Sequence, residues 1–583
     1  TQDNLVFRLA ALWAVADSTD LQLSYDYDDV DNAPRGAIGV NPWSECPADP
    51  FCGRVRNDVI DGSEGRDMYA VTAKLMHDFD DDWSAKFITS YRAFEVVNRQ
   101  DEDGTAEFDR YLDTDNIEDS DIQYNELQFH FSGDRFDLVF GANYSKESTS
   151  QVIPVNTNAD SAMRAVTAGL ADAFGAPLDH IWNPAEMAFL MSALTMQPVT
   201  PDDVIATGDF FYDVLDASIP GTPVVGPSFA GSSWSEIYFN EGDFTNWGLY
   251  GDIDFSLNDK WNLLFGLRYS NDDKTFSWRN PPNTLNAVRP GTDDIVFVQI
   301  PGYELARTGT LTASKSWNRI TGRAVANYQI GDSALTFLSY STGYKSGGYD
   351  SLDVTTSDNP LRPEESTNVE WGIRGDFFDN RLRTEFAVFN LELDGRQRSV
   401  DTRPPGQPSA IPRVINGDQT FTGAEIILNW FVTDTLQLGM LTTWREVEST
   451  WEPFFNAVGE LVTETSSDTA DMDYTVLVDW FPPAPAGSLA IRVEYVFNEN
   501  TDEFDIGVVD PTLPGFGKDR NLLNARIAWF SSDESWTVAL WGKNLLDDEV
   551  TSEVNDISTA SFGTPFVSVD PPLTWGVEIG YQF

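Results

Sequence analysis

Leu573-Thr-Trp575-Gly-Val577-Glu-Ile579-Gly-Tyr581-Gln-Phe583 closes the chain, and its odd positions are large and apolar while its even positions are small or polar. A strand sends successive side chains to opposite faces, so this segment has one greasy face and one wet or tightly packed face. At the terminus of a water-soluble protein such an edge would invite aggregation. In a closed membrane barrel the apolar side meets lipid and the other side meets the lumen. The same alternation recurs upstream. Leu21–Tyr27, Phe136–Tyr144, Trp247–Phe255, Trp261–Tyr269, Leu489–Tyr495 and Leu523–Trp529 each carry one apolar face. Arg268, Arg492, Glu494, Asn524 and Arg526 fall on the opposite face, where charge is tolerated only if that face is wet or paired.

The connections between strands alternate in length. Short turns rich in Asp, Asn and Gly, such as Leu257-Asn258-Asp259-Lys260, Gly331-Asp332 and Phe378-Asp379-Asn380, are interleaved with long ones at roughly 31–65, 100–119, 148–243, 279–316, 347–363 and 396–417. Tight turns on one side and extended loops on the other are the layout of outer-membrane barrels. Counting gives about 19 strands. The fold expected is therefore all-β, a transmembrane antiparallel β-barrel with long extracellular loops. The loop at 148–243 is exceptionally long and carries two helical patterns, Asp160–Phe174 and Asn183–Met196, with Asn183 as cap and Pro184 at the first helical position. It reads as a self-packed external subdomain inserted in the barrel.

Composition agrees. The 583 residues contain no apolar run long enough for a transmembrane helix, which takes about 18 or more. Mean hydropathy is −0.30, the value of a chain in which half of each strand faces water. The 18 Trp, 19 Tyr and 38 Phe would furnish aromatic girdles at two membrane interfaces. Net charge is −56, from 93 acidic and 37 basic residues. That leaves no basic footprint for nucleic acid. Three scattered histidines make a His-based metal centre improbable, and no metal site is expected. Asp113–Asp121 is acidic, but lacks the Gly and spaced Glu of a calcium loop. Cys46 and Cys52 lie in a Pro-rich loop and are expected to form a local disulfide in an oxidising compartment. No nucleophile elbow, zinc-protease helix, phosphate loop or dinucleotide fingerprint is present, so neither an enzyme nor a cofactor is expected.

Four stretches carry a family resemblance. Leu335 to Tyr349, containing Gly343-Tyr344-Lys345-Ser-Gly347-Gly348-Tyr349, Leu361 to Arg374 with Pro363, Glu364, Asn368, Glu370 and Gly372, Asp379–Leu382 with Ala387–Phe389, and Trp541–Asp547 with the terminal Phe583 resemble the TonB-dependent receptors of Gram-negative outer membranes. The resemblance implies a barrel of about 22 strands plugged from within. It further implies a TonB box, a plug and first strands upstream of Thr1. Leu573–Phe583 would then be the last strand, facing a gap or a segment outside this chain; pairing with residues 5–16 would overturn the count. Tyr581 and Phe583 would form the signal read by the barrel assembly machinery. Implied partners are outer-membrane lipid, the TonB energy-coupling complex and a small-molecule cargo. A ferric siderophore leads as cargo, with a carbohydrate or vitamin, or a passive porin or surface scaffold, as alternatives.

Cargo contacts are expected at the external mouth. Trp278 and Arg279, Tyr344, Lys345 and Tyr349, and Arg396, Arg398 and Arg403 are the candidates. Arginines hold anionic chelates and aromatic faces stack on them. Against that stands the plain structural role of an arginine paired across the lumen with one of many carboxylates.

Overall fold

A computed structural model describes residues 2–582 apart from 165–166, 168–181, 219–223, 281–285, 289–294, 298–308, 352–359, 404–410, 457–458, 464–465, 485, 501–511 and 556. Phe583, the second half of the assembly signal, and part of the first helical pattern lie outside the described residues. One 20-stranded sheet dominates. It consists of nineteen long strands and the two-residue ribbon Pro483–Ala484.

The long strands are β1 Gln2–Ala16, β2 Thr19–Asn32, β3 Ser63–Asp78, β4 Trp83–Asp101, β5 Leu112–Ser132, β6 Phe136–Asn158, β7 Ser233–Ser256, β8 Trp261–Asn280, β9 Gly309–Ile330 and β10 Ala334–Lys345. They continue as β11 Glu364–Phe377, β12 Leu382–Thr402, β13 Ile411–Thr433, β14 Leu436–Trp451, β15 Ser466–Trp480, β16 Gly487–Asn498, β17 Arg520–Ser531, β18 Trp536–Lys543 and β19 Thr574–Tyr581. Each pairs antiparallel with the next. Among the described residues β19 pairs only with β18 and β1 only with β2, so the pairing that would have overturned the strand count does not occur.

The sheet curls until its two ends meet at the mouth. Ile38–Gly39, after β2, pairs with Phe566–Val569, between β18 and β19, and that segment pairs in turn with Thr551–Asn555. The Val40 amide donates to the Pro565 carbonyl at 3.1 Å. This small three-stranded sheet ties the first long loop to the last. Cys46 and Cys52 form the expected disulfide in the same loop.

The outer face is apolar, as alternation requires. Exposed Trp13, Trp261, Trp430, Trp480, Trp536 and Tyr581 ring the short-turn side, and exposed Tyr69, Tyr91, Tyr144, Trp247 and Trp444 lie nearer the long-loop side. Phe265, Leu267, Leu338, Val538 and Leu540 lie exposed between them. In water these faces would be a severe liability; in lipid they are the solvent contact. No helix among the described residues is long and apolar enough to cross a membrane. The short turns are built by their own side chains. The Asn258 carboxamide oxygen accepts from the amides of Lys260 and Trp261 at 2.9 and 3.1 Å, and Asp80 does the same for Asp82 and Trp83 at 3.0 and 2.8 Å. These are the Asx turns that Asn and Asp favour.

β6 and β7 stay paired up to Asn158 and Ser233, so the long insertion proper is 159–232 and shorter than the 148–243 expected. It holds α1 Pro184–Thr195, α2 Pro201–Thr207 and α3 Phe210–Ser218. The Asn183 side chain caps α1 by accepting from the amides of Ala185 and Glu186, each at 3.0 Å. Met163, Met187, Leu190, Met191, Val204 and Tyr212 form a core of its own. Alternation flags strands and not short amphipathic helices, so α2 and α3 were missed.

Candidate functional site

Parity along each strand settles which side chains enter the lumen. On β8, Trp261, Phe265 and Leu267 are exposed to the outside, so Lys274, Phe276 and Trp278 point inward. Arg279 is one residue out of phase. It lies on the outer face, opposite Phe239 on β7, with its guanidinium 3.9 Å from that ring's centre. It is therefore separated from Trp278, beside which the sequence reading had set it.

Trp278 is buried and organises the inner wall. Its ring lies edge-on to Phe276 at 4.7 Å and to Tyr349 at 5.5 Å, and Tyr349 also meets Phe276 at 6.1 Å and Trp317 at 6.2 Å. Such pairs contribute about 0.5–1.5 kcal/mol each beyond area burial. Trp317 comes from β9, directly opposite Asp272 on the inner face of β8. The Lys274 ammonium sits 5.8 Å from the Phe244 ring centre and 5.9 Å from that of Trp317, and donates to the Gly347 carbonyl at 2.8 Å.

Tyr349 arrives from a crossing segment, Ser346–Ser351, that follows β10. It is tied to the β7–β8 side by Trp278 Nε1–H donating to the Asp350 carbonyl at 2.9 Å and by Asn240 donating to the Ser351 carbonyl at 3.1 Å. On the β12–β13 side the Gln397 amide donates to the Ser346 carbonyl at 3.2 Å, and the Val414 backbone N–H to an Asp350 carboxylate oxygen at 2.8 Å. The segment thus bridges over the intervening strands. Gly347 makes this possible by close approach and not by an unusual dihedral angle. A Cβ there would stand 2.2 Å from the Leu361 carbonyl oxygen and 2.6 Å from Trp317 Nε1.

Tyr344 and Lys345 end β10. β9 and β10 part company above Arg323–Ser341, while β9 continues beside β8 and β10 beside β11. Arg319 and Glu365 form an ion pair across this split. Tyr344 lies half-buried next to them, opposite Glu365. Lys345 is exposed at the rim.

Arg396 and Arg398 form a second group. β12 changes register between Leu393 and Arg396, with Gly395 in the left-handed region at φ 70°. This one-residue bulge reverses parity, and both arginines turn inward. Their guanidinium carbons lie 5.9 and 5.1 Å from the Trp451 ring centre, and Arg396 donates to the Gln419 side chain. Arg403 stands apart at the end of β12, its amide donating to the Asn456 carbonyl at 3.1 Å.

Six of the eight sequence candidates thus gather around the mouth, with Arg279 and Arg403 elsewhere. Lys274, Phe276, Trp317 and Trp451 were missed. Lys274-x-Phe276-x-Trp278 carried a legible signal, since all three share the inward face of one strand.

A curled antiparallel sheet with an apolar outer belt and a polar inner wall is the architecture of an outer-membrane β-barrel. Residues 194–545 match the family described as TonB dependent receptor-like, beta-barrel, and the chain belongs to that family. Its members are receptors and transporters of the Gram-negative outer membrane, not enzymes, and that membrane is this chain's location. The ferripyoverdine receptor of Pseudomonas aeruginosa is 23% identical over 370 residues, covering 60% of this chain and 40% of the relative. The ferric-pyoverdine M114 receptor PbuA of a Pseudomonas strain is 24% identical over 324 residues, 54% of this chain and 34% of the relative. The chain therefore spans less than half the length of these relatives. Among solved structures, the ferric yersiniabactin uptake receptor FyuA of Yersinia pestis aligns with TM-score 0.63 at 13% identity, over 100% of this chain and 71% of that one. The siderophore receptor PiuA of Acinetobacter baumannii aligns with TM-score 0.62 at 15% identity, over 100% and 74%. At such identities the likeness shows the shared fold.

Proposed function

We propose that this barrel forms the wall and mouth of a receptor that captures a ferric siderophore and imports it with energy delivered through TonB. One observation carries the reading. Lys274, Lys345, Arg396 and Arg398 make no ion pair among the described residues, in a chain with 93 acidic side chains. They border Phe276, Trp278, Trp317, Tyr349 and Trp451. Cations outside any ion pair among the described residues, next to flat aromatic faces, suit a compact anionic chelate with conjugated arms. The relatives named for ferripyoverdine and for siderophore uptake support the same cargo class. In this reading Tyr349, held in place by the buried Trp278, supplies the stacking face and Lys274, Lys345, Arg396 and Arg398 the charge, while Tyr344, its hydroxyl buried, has a supporting role.

The test is tryptophan fluorescence of the purified protein titrated with ferric hydroxamate, catecholate and hydroxycarboxylate chelates. Saturable quenching by at least one class, weakened in Lys274→Ala and Arg398→Ala, is expected. Saturation by a glycan or a cobalamin with none by any ferric chelate would sink the reading. TonB coupling is tested separately, by uptake of radioactive iron in cells before and after collapse of the proton-motive force.

A further inference from the structure

We propose that Asp58, Asp101 and Asp103 form a calcium site that pins the first two external loops to the point where the two ends of the sheet meet. One carboxylate oxygen from each lies within 4.8 Å of the others. Asp58 comes from the loop after β2, Asp101 from the outer tip of β4, and Asp103 from the turn that follows. Calcium binds oxygen ligands at about 2.3–2.6 Å, so a single ion can touch three oxygens spread this far. The donors are all carboxylates, the hard set that selects calcium or magnesium over zinc or copper.

Proximity of acidic groups alone would mean little in so acidic a chain. Their burial and their unused atoms mean more. Asp101 is 3% exposed and Asp103 fully buried. Asp101 spends its Oδ2 on the Gly104 amide at 3.1 Å and the Asn57 side chain at 3.0 Å. Asp103 accepts from the Thr105 amide and hydroxyl, each at 2.9 Å, and from the Leu112 amide at 2.8 Å. These bonds fix both carboxylates in place. What remains is Asp101 Oδ1 and Asp58 Oδ1, each buried and without a hydrogen-bond partner. An orphaned buried carboxylate oxygen costs several kcal/mol if charged. No lysine or arginine among the described residues pairs with any of the three; the neighbouring Arg99 is committed to Asp115. The arrangement lacks a counter-charge and holds its oxygens ready for one.

The position gives the ion a task. A Cβ on Gly104, whose φ is 64°, would meet Phe566 at 2.7 Å and the Gly39 backbone at 3.1 Å. The Asp101–Gly104 turn therefore packs directly on the small sheet that joins the first loop to the last. Asn57, adjacent to Asp58, exchanges hydrogen bonds with Ala37 at 2.9 and 3.1 Å. An ion here staples the loop carrying Asp58 to the β4–β5 turn and, through Gly104, to the closure of the mouth.

The experiment titrates calcium chloride into the full chain, purified in detergent and stripped with chelator, by calorimetry and by thermal unfolding. One saturable site is expected, with Kd of about 10⁻⁴ to 10⁻³ M as in extracellular calcium modules, and an upward shift in Tm. Asp101→Asn and Asp58→Asn should each weaken calcium at least about tenfold. Among the described residues the Asp58 side chain makes no hydrogen bond to another residue, so its variant should keep the fold even if Asp101→Asn does not. Magnesium chloride, reluctant to dehydrate, should bind more weakly. No saturable calcium binding to the wild-type protein overturns the proposal, and so does binding that both variants leave unchanged.

Discussion

The lower inner wall of the barrel and its mouth use the same residue types in opposite ways. Near the short turns, Arg323 pairs with Asp252 at 2.9 Å, Arg374 with Glu385 at 2.7 Å, Arg383 with Asp376 at 2.8 Å, Arg492 with Asp479 at 2.7 Å and Arg526 with Glu578 at 3.1 Å. Each of these five guanidiniums is neutralised, either across a strand pair or over one intervening strand. At the mouth, Lys274, Arg396 and Arg398 face aromatic rings and main-chain or amide oxygens instead, and Lys345 stands exposed at the rim. Acid outnumbers base 93 to 37, yet these four cations stand outside any ion pair among the described residues. The lower wall stitches the barrel; in the proposed function these four mouth cations are kept for an incoming ligand, while neighbours such as Arg319 are paired.

That contrast can be broken by substitution. The largest effect is expected from the double variant Lys274→Ala/Arg398→Ala. Charge-assisted contacts are worth about 1.5–3 kcal/mol each, so affinity for a ferric chelate should fall by roughly 100-fold or more, read by fluorescence titration. Next comes Gly347→Val, which forces the crossing segment off Trp317 and the Leu361 carbonyl. Overpacking of this kind costs about 1–3 kcal/mol, and a loss of roughly 30-fold in the same titration is expected while heat-modifiable migration of the folded barrel is kept. Trp278→Phe keeps the ring but removes the donor to Asp350. About 1 kcal/mol, near fivefold in affinity, should be lost. The smallest change is expected from Arg323→Ala on the lower wall. Half-exposed pairs contribute about 0–1 kcal/mol to stability, and chelate affinity should stay within about twofold. A lower-wall variant that weakened binding as much as a mouth variant would erase the distinction.

The barrel was legible because a two-residue period runs through most of each long strand, broken only at local bulges such as that in β12, and the turns announce themselves with Asp, Asn and Gly. Even the nineteen long strands follow from that rhythm. The mouth was legible only in part. Trp278, Tyr344, Lys345 and Tyr349 were found by motif and composition, but Arg279 was chosen for adjacency to Trp278, and strict alternation already sends it to the other face. Arg396 and Arg398 reach the lumen for a reason alternation cannot give, since the bulge at Asp394–Gly395 inverts the phase. Trp317 and Trp451 join the site through register between strands distant in sequence, which no local pattern encodes. The cluster at Asp58, Asp101 and Asp103 was hidden for the same reason: its members meet only after two loops fold onto the end of β4.

The central claim is that the mouth holds its cations for an anionic iron chelate. Its most direct test is a titration of ferric hydroxamate, catecholate and hydroxycarboxylate chelates against wild-type protein, Lys274→Ala/Arg398→Ala and Arg323→Ala side by side. Saturable binding of one class to wild type and Arg323→Ala, weakened by roughly 100-fold in the mouth variant, is the predicted result. Equal affinity in all three, or no saturable binding of any class to the wild-type protein, would contradict it.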